Sequence, residues 1–122
     1  LCVGKNGTNY HREAVIAVAQ QLSEAGLTNR LMVDCSHDNS KKDYRRQSAV
    51  LREVAGQIQL GSSPVMGVMI ESHLVEGNQK LATDISSLAY GQSITDACID
   101  LKTTAKLLEE LAQAVSSKKC TN

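Results

Sequence analysis

Three residues of this sequence have the side-chain types of a site for a divalent metal ion. His37 and Glu71 each follow a short apolar run, and Asp96 lies in a short segment nearer the end of the chain. One imidazole and two carboxylates suit manganese, iron, cobalt or zinc and leave positions open for water or substrate. The spacing alone leaves simpler roles open, because such residues often serve only as hydrogen-bonding, capping or turn residues.

The elements that must position these residues alternate between apolar runs and amphipathic helices. The pattern predicts helices over residues 10–25, 42–60 and 101–116. It predicts strands over residues 31–33 and 65–70, between these helices. Gly26 and Gly61 are placed to end the first two helices, and Asp100 to cap the third. Both strands are nearly continuous in hydrophobicity, as in parallel sheets covered by helices. The order predicts an α/β fold, whose strand ends carry the chemistry.

The alternation of side chains along a strand predicts which way the Glu71 side chain points. The strand face expected to pack on helices carries Met66, Val68 and Ile70. Glu71 lies on the opposite face and would point into the mouth of a barrel. In the other strand, His37 and Asp34 fall on opposite faces by the same count. The expected inward stripe of the third helix is Leu101, Ala105, Leu108, Leu111, Ala112 and Val115.

The composition excludes several classes of function. With 13 basic and 13 acidic residues the formal net charge is zero, so no electrostatic footprint points to nucleic acid or a membrane surface. No apolar run approaches the ~20 residues of a membrane helix, and the start lacks a signal-peptide pattern. We expect a cytoplasmic protein with reduced thiols. A start at Leu1 instead of Met, together with the absence of Phe and Trp, predicts part of a longer fold.

Two other interpretations are weaker. Asp34, Ser36 and His37 have the residue types of a serine hydrolase, but adjacent strand residues face opposite ways and the sequence has no nucleophile elbow. The four cysteines form no CxxC pair, which argues against a zinc ribbon. Cys98 follows Asp96 by two residues and could lie near the metal, although a buried thiol is the favoured interpretation.

Three strings of the sequence are specific in combination. They are LMVDCSH with the following NS and KDYRRQ in residues 31–47, VMGVMIESHLVEGNQ in residues 65–79, and YGQSITDACI in residues 90–99. In this order they resemble segments of the type I DAHP (3-deoxy-D-arabino-heptulosonate 7-phosphate) synthases. A weaker match at residues 4–5 and 7–10 extends the resemblance over essentially the whole chain.

The resemblance implies that residues 1–122 are a C-terminal part, about three β/α units, of a (β/α)8 TIM barrel. It implies His37, Glu71 and Asp96 as ligands of a divalent metal (Mn, Fe, Co or Zn), and Lys5 as a substrate-binding contact to phosphate. The implied activity is that of a transferase that condenses phosphoenolpyruvate with erythrose 4-phosphate to give DAHP and phosphate, the first step of the shikimate pathway. The implied partners are the missing N-terminal barrel half and, in the parent enzyme, further copies in a homo-oligomer.

The sequence also departs from the family pattern. The family usually has Arg where this chain has Cys2, and a cysteine cannot hold a phosphate bidentately. The family's cysteine ligand and most of its phosphate-binding residues lie upstream, and none of the cysteines here matches that ligand. We therefore expect this chain alone to be inactive. The alternatives are an inactive truncated remnant or assembly module of the enzyme and, less favoured, a related phosphosugar synthase.

Overall fold

The structure, a computed structural model, describes residues 1–2 and 7–117, so Lys5 lies outside the described residues. The helices are α1 (Arg12–Glu24), α2 (Gln47–Gln59) and α3 (Leu101–Ser116). The strands are β1 (Leu31–Asp34), β2 (Val65–Met69), β3 (Ser72–His73), β4 (Val75–Asn78), β5 (Gln92–Ser93) and β6 (Ile99–Asp100). Short 3-10 turns cover Tyr44–Arg46 and Ile85–Ser87. The predicted mixture of helices and strands is confirmed.

The strands pair in parallel. β1 pairs with β2, β3 with β6, and β4 with β5. Backbone hydrogen bonds continue the first two ladders, from the Cys35 N–H to the Met69 carbonyl and from the Ile99 N–H to the Glu71 carbonyl. On the other side of β1, the Leu1 carbonyl accepts from the Asp34 N–H at 2.8 Å. Residues that follow β1 and β2 therefore meet at one edge of the structure.

The strands form three two-stranded sheets, and the helices pack against β1, β2 and β6 in two apolar clusters. The first cluster joins α1 and α2 to β1 and β2 through Val15, Ala19, Leu31, Val33, Val54 and Val65. The second lies between α2, α3 and the sheet and contains Cys35, Val50, Leu51, Ile99 and Leu107. Helix α2 contributes to both clusters, so its packing fixes the strand ends on either side of it.

The predicted faces of β2 are correct for two residues and wrong for one. Val68 and Ile70 pack against the clusters, as predicted. Met66 is instead 69% exposed. The pairing shifts between Leu31 and Met32, whose partners are two residues apart on β2, so Met66 lies in a β-bulge. The bulge inserts one residue into the alternation, and simple counting from Glu71 therefore fails there.

The stripe predicted for α3 is correct at Leu111, which packs against the second cluster, and wrong at its other positions. Leu101, Leu108 and Val115 are each more than half exposed, whereas Leu107 and Ala114 are buried. Helix α3 carries two apolar stripes. The stripe through Leu107 packs on α2, in the same cluster as Ile99 of β6. Periodicity identifies both stripes but does not say which one meets the neighbouring helix.

The helix ends follow the predicted chemistry, with one exception. Gly26 and Gly61 have φ of 71° and 84° just after α1 and α2, as a helix end in the left-handed region requires. The Asp100 side chain accepts a hydrogen bond from the Thr103 N–H at 2.7 Å and caps α3. The second α-helix begins at Gln47 instead of near Lys42, whose φ of 60° is incompatible with a right-handed helix.

Within the described ranges, every helix is too short or too polar to cross a bilayer. The cytoplasmic location stays a prediction.

Candidate metal centre

His37 is brought to the edge of the sheet by a tight turn after β1. The strand ends at Asp34, and His37 has φ of 45°, a left-handed conformation that is uncommon for a residue with a side chain. The buried Asn39 side chain donates to the Asp34 carbonyl at 2.8 Å and accepts from the Asn9 N–H at 2.8 Å. These bonds hold the turn against the end of the strand.

The turn places Asp34 and His37 in direct contact, which alternation did not predict. Oδ2 of Asp34 lies 2.7 Å from Nδ1 of His37. The residues are not on opposite faces of one strand, because the strand has already ended and the left-handed residue redirects the chain. The carboxylate orients the imidazole so that Nε2 points toward Glu71 and Asp96.

Glu71 is held at both its backbone and its side chain. Gln47 is fully buried, and its side-chain amide accepts from the Glu71 N–H at 2.7 Å and donates to the Glu71 carbonyl at 3.1 Å. The Ser36 hydroxyl donates to Oε2 of Glu71 at 2.7 Å. The other carboxylate oxygen, Oε1, is thereby left to face the imidazole.

The three predicted residues converge. Nε2 of His37 lies 3.5 Å from Oε1 of Glu71 and 3.8 Å from Oδ2 of Asp96. One ligand atom from each residue lies within 4.8 Å of the other two. The side chains differ in exposure, with 22% for Glu71, 41% for His37 and 72% for Asp96. The group opens to solvent on the Asp96 side.

The charges around His37 favour a cation. The hydrogen bond to Asp34 raises the pKa of His37 most, burial opposes that rise, and the charges of Asp34, Glu71 and Asp96 add to it. A proton on the imidazole is therefore stabilised by three carboxylates. A divalent ion that replaces this proton would meet the same negative field.

The cluster lines a cleft of about 370 Å³. Its walls also include Cys2, Asp38, Lys42 and Tyr44. A more open groove of about 620 Å³ lies between α2 and α3 beside the Arg52–Glu110 ion pair. The groups of three or more metal donors found among the described residues lie in the cleft and not in that groove, so the cleft is the candidate site.

Sequence reasoning missed three supporting residues: Asp34, Ser36 and Gln47. A polar residue at the start of an apolar helix stripe was a usable signal for Gln47, because a buried amide needs hydrogen-bonding partners. Asp34 and Ser36 gave no comparable signal, since the turn that positions them depends on a left-handed histidine. Cys98 is buried, which agrees with the favoured interpretation, and burial raises the pKa of its thiol.

Comparison with known proteins finds relatives of one family. The sequence model of the DAHP synthetase I family matches residues 1–109. The tyrosine-inhibited phospho-2-dehydro-3-deoxyheptonate aldolase of Schizosaccharomyces pombe is 45% identical over 119 residues, covering 95% of this chain and 32% of that protein. The Tyr-sensitive enzyme of Escherichia coli is 44% identical over 115 residues, covering 94% of this chain and 32% of that protein.

A solved structure shows the same fold. Phospho-2-dehydro-3-deoxyheptonate aldolase from Francisella tularensis matches with a TM-score of 0.91 and 42% sequence identity, covering 98% of this chain and 34% of that one. The chain spans about a third of the length of the curated relatives it matches. From the family match, the identities and the shared fold, this chain belongs to the DAHP synthetase I family.

Proposed function

We propose that this chain is a C-terminal part of a DAHP synthase and supplies three of the ligands of its metal. The activity would be the condensation of phosphoenolpyruvate with erythrose 4-phosphate to give DAHP and phosphate. The single observation that carries the proposal is the convergence of His37, Glu71 and Asp96 at one edge of a parallel sheet. Family membership adds that relatives are named for this aldolase reaction.

The donor set fits a divalent ion. Bonds of about 2.1 Å to nitrogen and oxygen place neighbouring ligand atoms ~3 Å apart, so His37, Glu71 and Asp96 need to move by roughly 1 Å or less. When bound, the ion would act as Lewis acid and template for the substrates. Manganese, iron, cobalt and zinc all accept one imidazole and two carboxylates. Asp34 fixes the tautomer of His37 with the proton on Nδ1, and Ser36 fixes the rotamer of Glu71.

We further propose that residues 1–122 form one partial barrel domain, the last three or so units of a (β/α)8 barrel. The parallel pairing of β1 with β2 and of β3 with β6, with helices on one face, supports this arrangement. The faces that a whole barrel would cover are apolar and open here. They include Met32 and Met66 on the sheet and Leu101, Leu108 and Val115 on α3.

Activity would then require the remaining barrel half, and the parent enzyme would be a homo-oligomer. The exposed apolar faces support this requirement, because covering them stabilises the sheet and α3. By itself the chain would self-associate or aggregate through these faces and the sheet edge. Lys5, which lies outside the described residues, stays a predicted phosphate contact.

A second candidate function is that of an inactive remnant or assembly module. The observation that favours it is Cys2, where the family usually has Arg, because a phosphate contact is then lost. The two candidates agree in fold and differ in turnover, and the remnant could exist with or without residual metal binding.

Phosphate release from phosphoenolpyruvate and erythrose 4-phosphate separates the two candidates. We expect no turnover with this chain and Mn²⁺ alone, and turnover after mixing with the N-terminal part of a relative. Cys2→Arg in the same mixture should raise the rate if the missing arginine limits catalysis. A folded, metal-binding mixture with no turnover in either form would rule out the synthase and leave the remnant.

A further inference from the structure

The cleft contains a second group of metal donors on the other side of His37. Leu1 runs beside β1, with its amino group donating to the Met32 carbonyl at 2.6 Å and its carbonyl accepting from the Asp34 N–H at 2.8 Å. This pairing sets Cys2 next to Asp34, where it is half-buried and lines the cleft. The position of the thiol is thus fixed by backbone pairing with β1.

The donor atoms of this second group are close together. The Cys2 sulfur, a carboxylate oxygen of Asp34 and a ring nitrogen of His37 all lie within 4.8 Å of one another. The nitrogen on the Asp34 side is Nδ1, at 2.7 Å from Oδ2, whereas Nε2 faces Glu71 and Asp96. The two donor groups therefore use opposite sides of one imidazole.

We propose that Cys2, Asp34 and Nδ1 of His37 form a second cation site that takes thiophilic divalent ions such as Zn²⁺. A thiolate, an imidazole and a carboxylate are all ordinary zinc ligands. Bonds of about 2.0 to 2.3 Å place neighbouring ligand atoms ~3 Å or more apart, so the 2.7 Å contact between Nδ1 of His37 and Oδ2 of Asp34 must open slightly to admit the ion. The thiolate separates this site from the all-nitrogen-and-oxygen group around Nε2, because soft sulfur favours Zn²⁺ and Co²⁺ over Mn²⁺. The site does not depend on the proposed synthase activity.

Binding replaces protons with the metal. The Cys2 S–H bond and the Nδ1–H bond break, one metal–sulfur and one metal–nitrogen bond form, and the Nδ1 proton moves to Nε2 while the thiol proton leaves to the buffer. Because a protonated Nε2 cannot bind a metal, an ion at this site excludes one at the group formed by Nε2, Glu71 and Asp96. Without a cation, the hydrogen bond to Asp34 raises the pKa of Cys2, so the thiol stays protonated.

Cobalt titration of the full 122-residue chain tests the site, with Co²⁺ standing in for Zn²⁺. Coordination by a thiolate gives a near-ultraviolet charge-transfer band that oxygen and nitrogen ligands do not give. We expect one equivalent of Co²⁺ to produce the band and Cys2→Ser to abolish it. Cys98→Ser and Cys120→Ser are matched controls that should keep it. A wild-type chain without the band, or a Cys2→Ser chain that retains it, overturns the proposal.

A second measurement needs no variant. Zn²⁺ should slow alkylation of Cys2 at least tenfold, as mapped by mass spectrometry, whereas Mn²⁺ should leave the rate unchanged. Equal rates with and without Zn²⁺ contradict the site even if Cys2→Ser fails to fold.

The double variant Glu71→Gln with Asp96→Asn separates this proposal from the proposed function. It should lose Mn²⁺ binding and keep the cobalt–thiolate band. Loss of the band together with Mn²⁺ binding, while the far-ultraviolet circular dichroism is unchanged, would mean that Cys2 forms no independent site and would overturn it.

Discussion

The two sides of the His37 cluster are built differently. On one side, His37 and Glu71 are each held by a supporting hydrogen bond: Oδ2 of Asp34 accepts from Nδ1 of His37 at 2.7 Å, and the Ser36 hydroxyl donates to Glu71 at 2.7 Å. On the other side, Asp96 is 72% exposed, and among the described residues its carboxylate accepts no hydrogen bond from a side chain or backbone group. The cluster thus combines two prearranged candidate ligands with one open candidate ligand.

The difference indicates how the site would assemble. A prearranged ligand loses little conformational freedom when an ion binds, whereas an open ligand must be ordered by the ion itself. The held side follows the ends of β1 and β2, and the open side follows the two-residue strand β5. Short strands with few buried neighbours position side chains less firmly.

Replacing Gln47 by Leu should have the largest effect, a loss of unfolding free energy, because it removes the side chain that holds the backbone of Glu71. Leu has a similar volume, but the Glu71 N–H loses its partner, whereas the Glu71 carbonyl keeps the hydrogen bond from the Ile99 N–H. The change costs about 1 to 3 kcal/mol of unfolding free energy. Urea unfolding monitored by circular dichroism measures the loss. Gln59→Leu, at the exposed end of the same helix, is the matched control and should change stability by less than ~0.5 kcal/mol. Equal losses would show that Gln47 has no special role.

The contrast between the two carboxylate ligands can be measured directly. We expect Glu71→Gln to weaken Mn²⁺ binding roughly 100-fold and Asp96→Asn about tenfold, since water can more readily replace the open ligand. Isothermal titration calorimetry on both variants gives the comparison. If Asp96→Asn proves the more damaging change, the distinction between held and open ligands is wrong.

Removing the support of His37 should have a smaller but clear effect. Asp34→Asn keeps the shape but removes the charged acceptor at Nδ1, and we expect Mn²⁺ affinity to fall 10- to 100-fold. Asp38→Asn removes the same charge from the same cleft without touching the His37 ring and should change affinity less than threefold. Similar losses in both variants would mean that only net charge matters.

The pH dependence is the smallest expected effect. The hydrogen bond to Asp34 raises the pKa of His37 above its ordinary value of 6.5. The metal-free chain therefore gains stability from protonated His37 below about pH 6.5, and this gain is lost as pH rises through the raised pKa. An NMR titration of the imidazole should show a raised midpoint in the wild type and a lower one in Asp34→Asn. Identical midpoints would exclude the Asp34 contact as the cause.

Much of the fold and the central ligand set could be predicted from the sequence. Periodicity predicted α1 and α3 within two residues, and strand-end reasoning predicted the convergence of His37, Glu71 and Asp96. Features that depend on one local irregularity could not be predicted. The bulge at Met66 reverses one side chain, and the left-handed turn at His37 creates the contact with Asp34. The prediction of the buried stripe of α3 was largely wrong for a different reason, since periodicity does not identify which face of a helix meets its neighbour.

Anomalous diffraction from crystals grown with Mn²⁺ tests the central claim most directly. The account predicts one manganese peak in contact with Nε2 of His37 and with the carboxylates of Glu71 and Asp96, at distances of about 2.1 Å. A peak bound elsewhere, or well-ordered side chains of these three residues with no manganese between them, would contradict it.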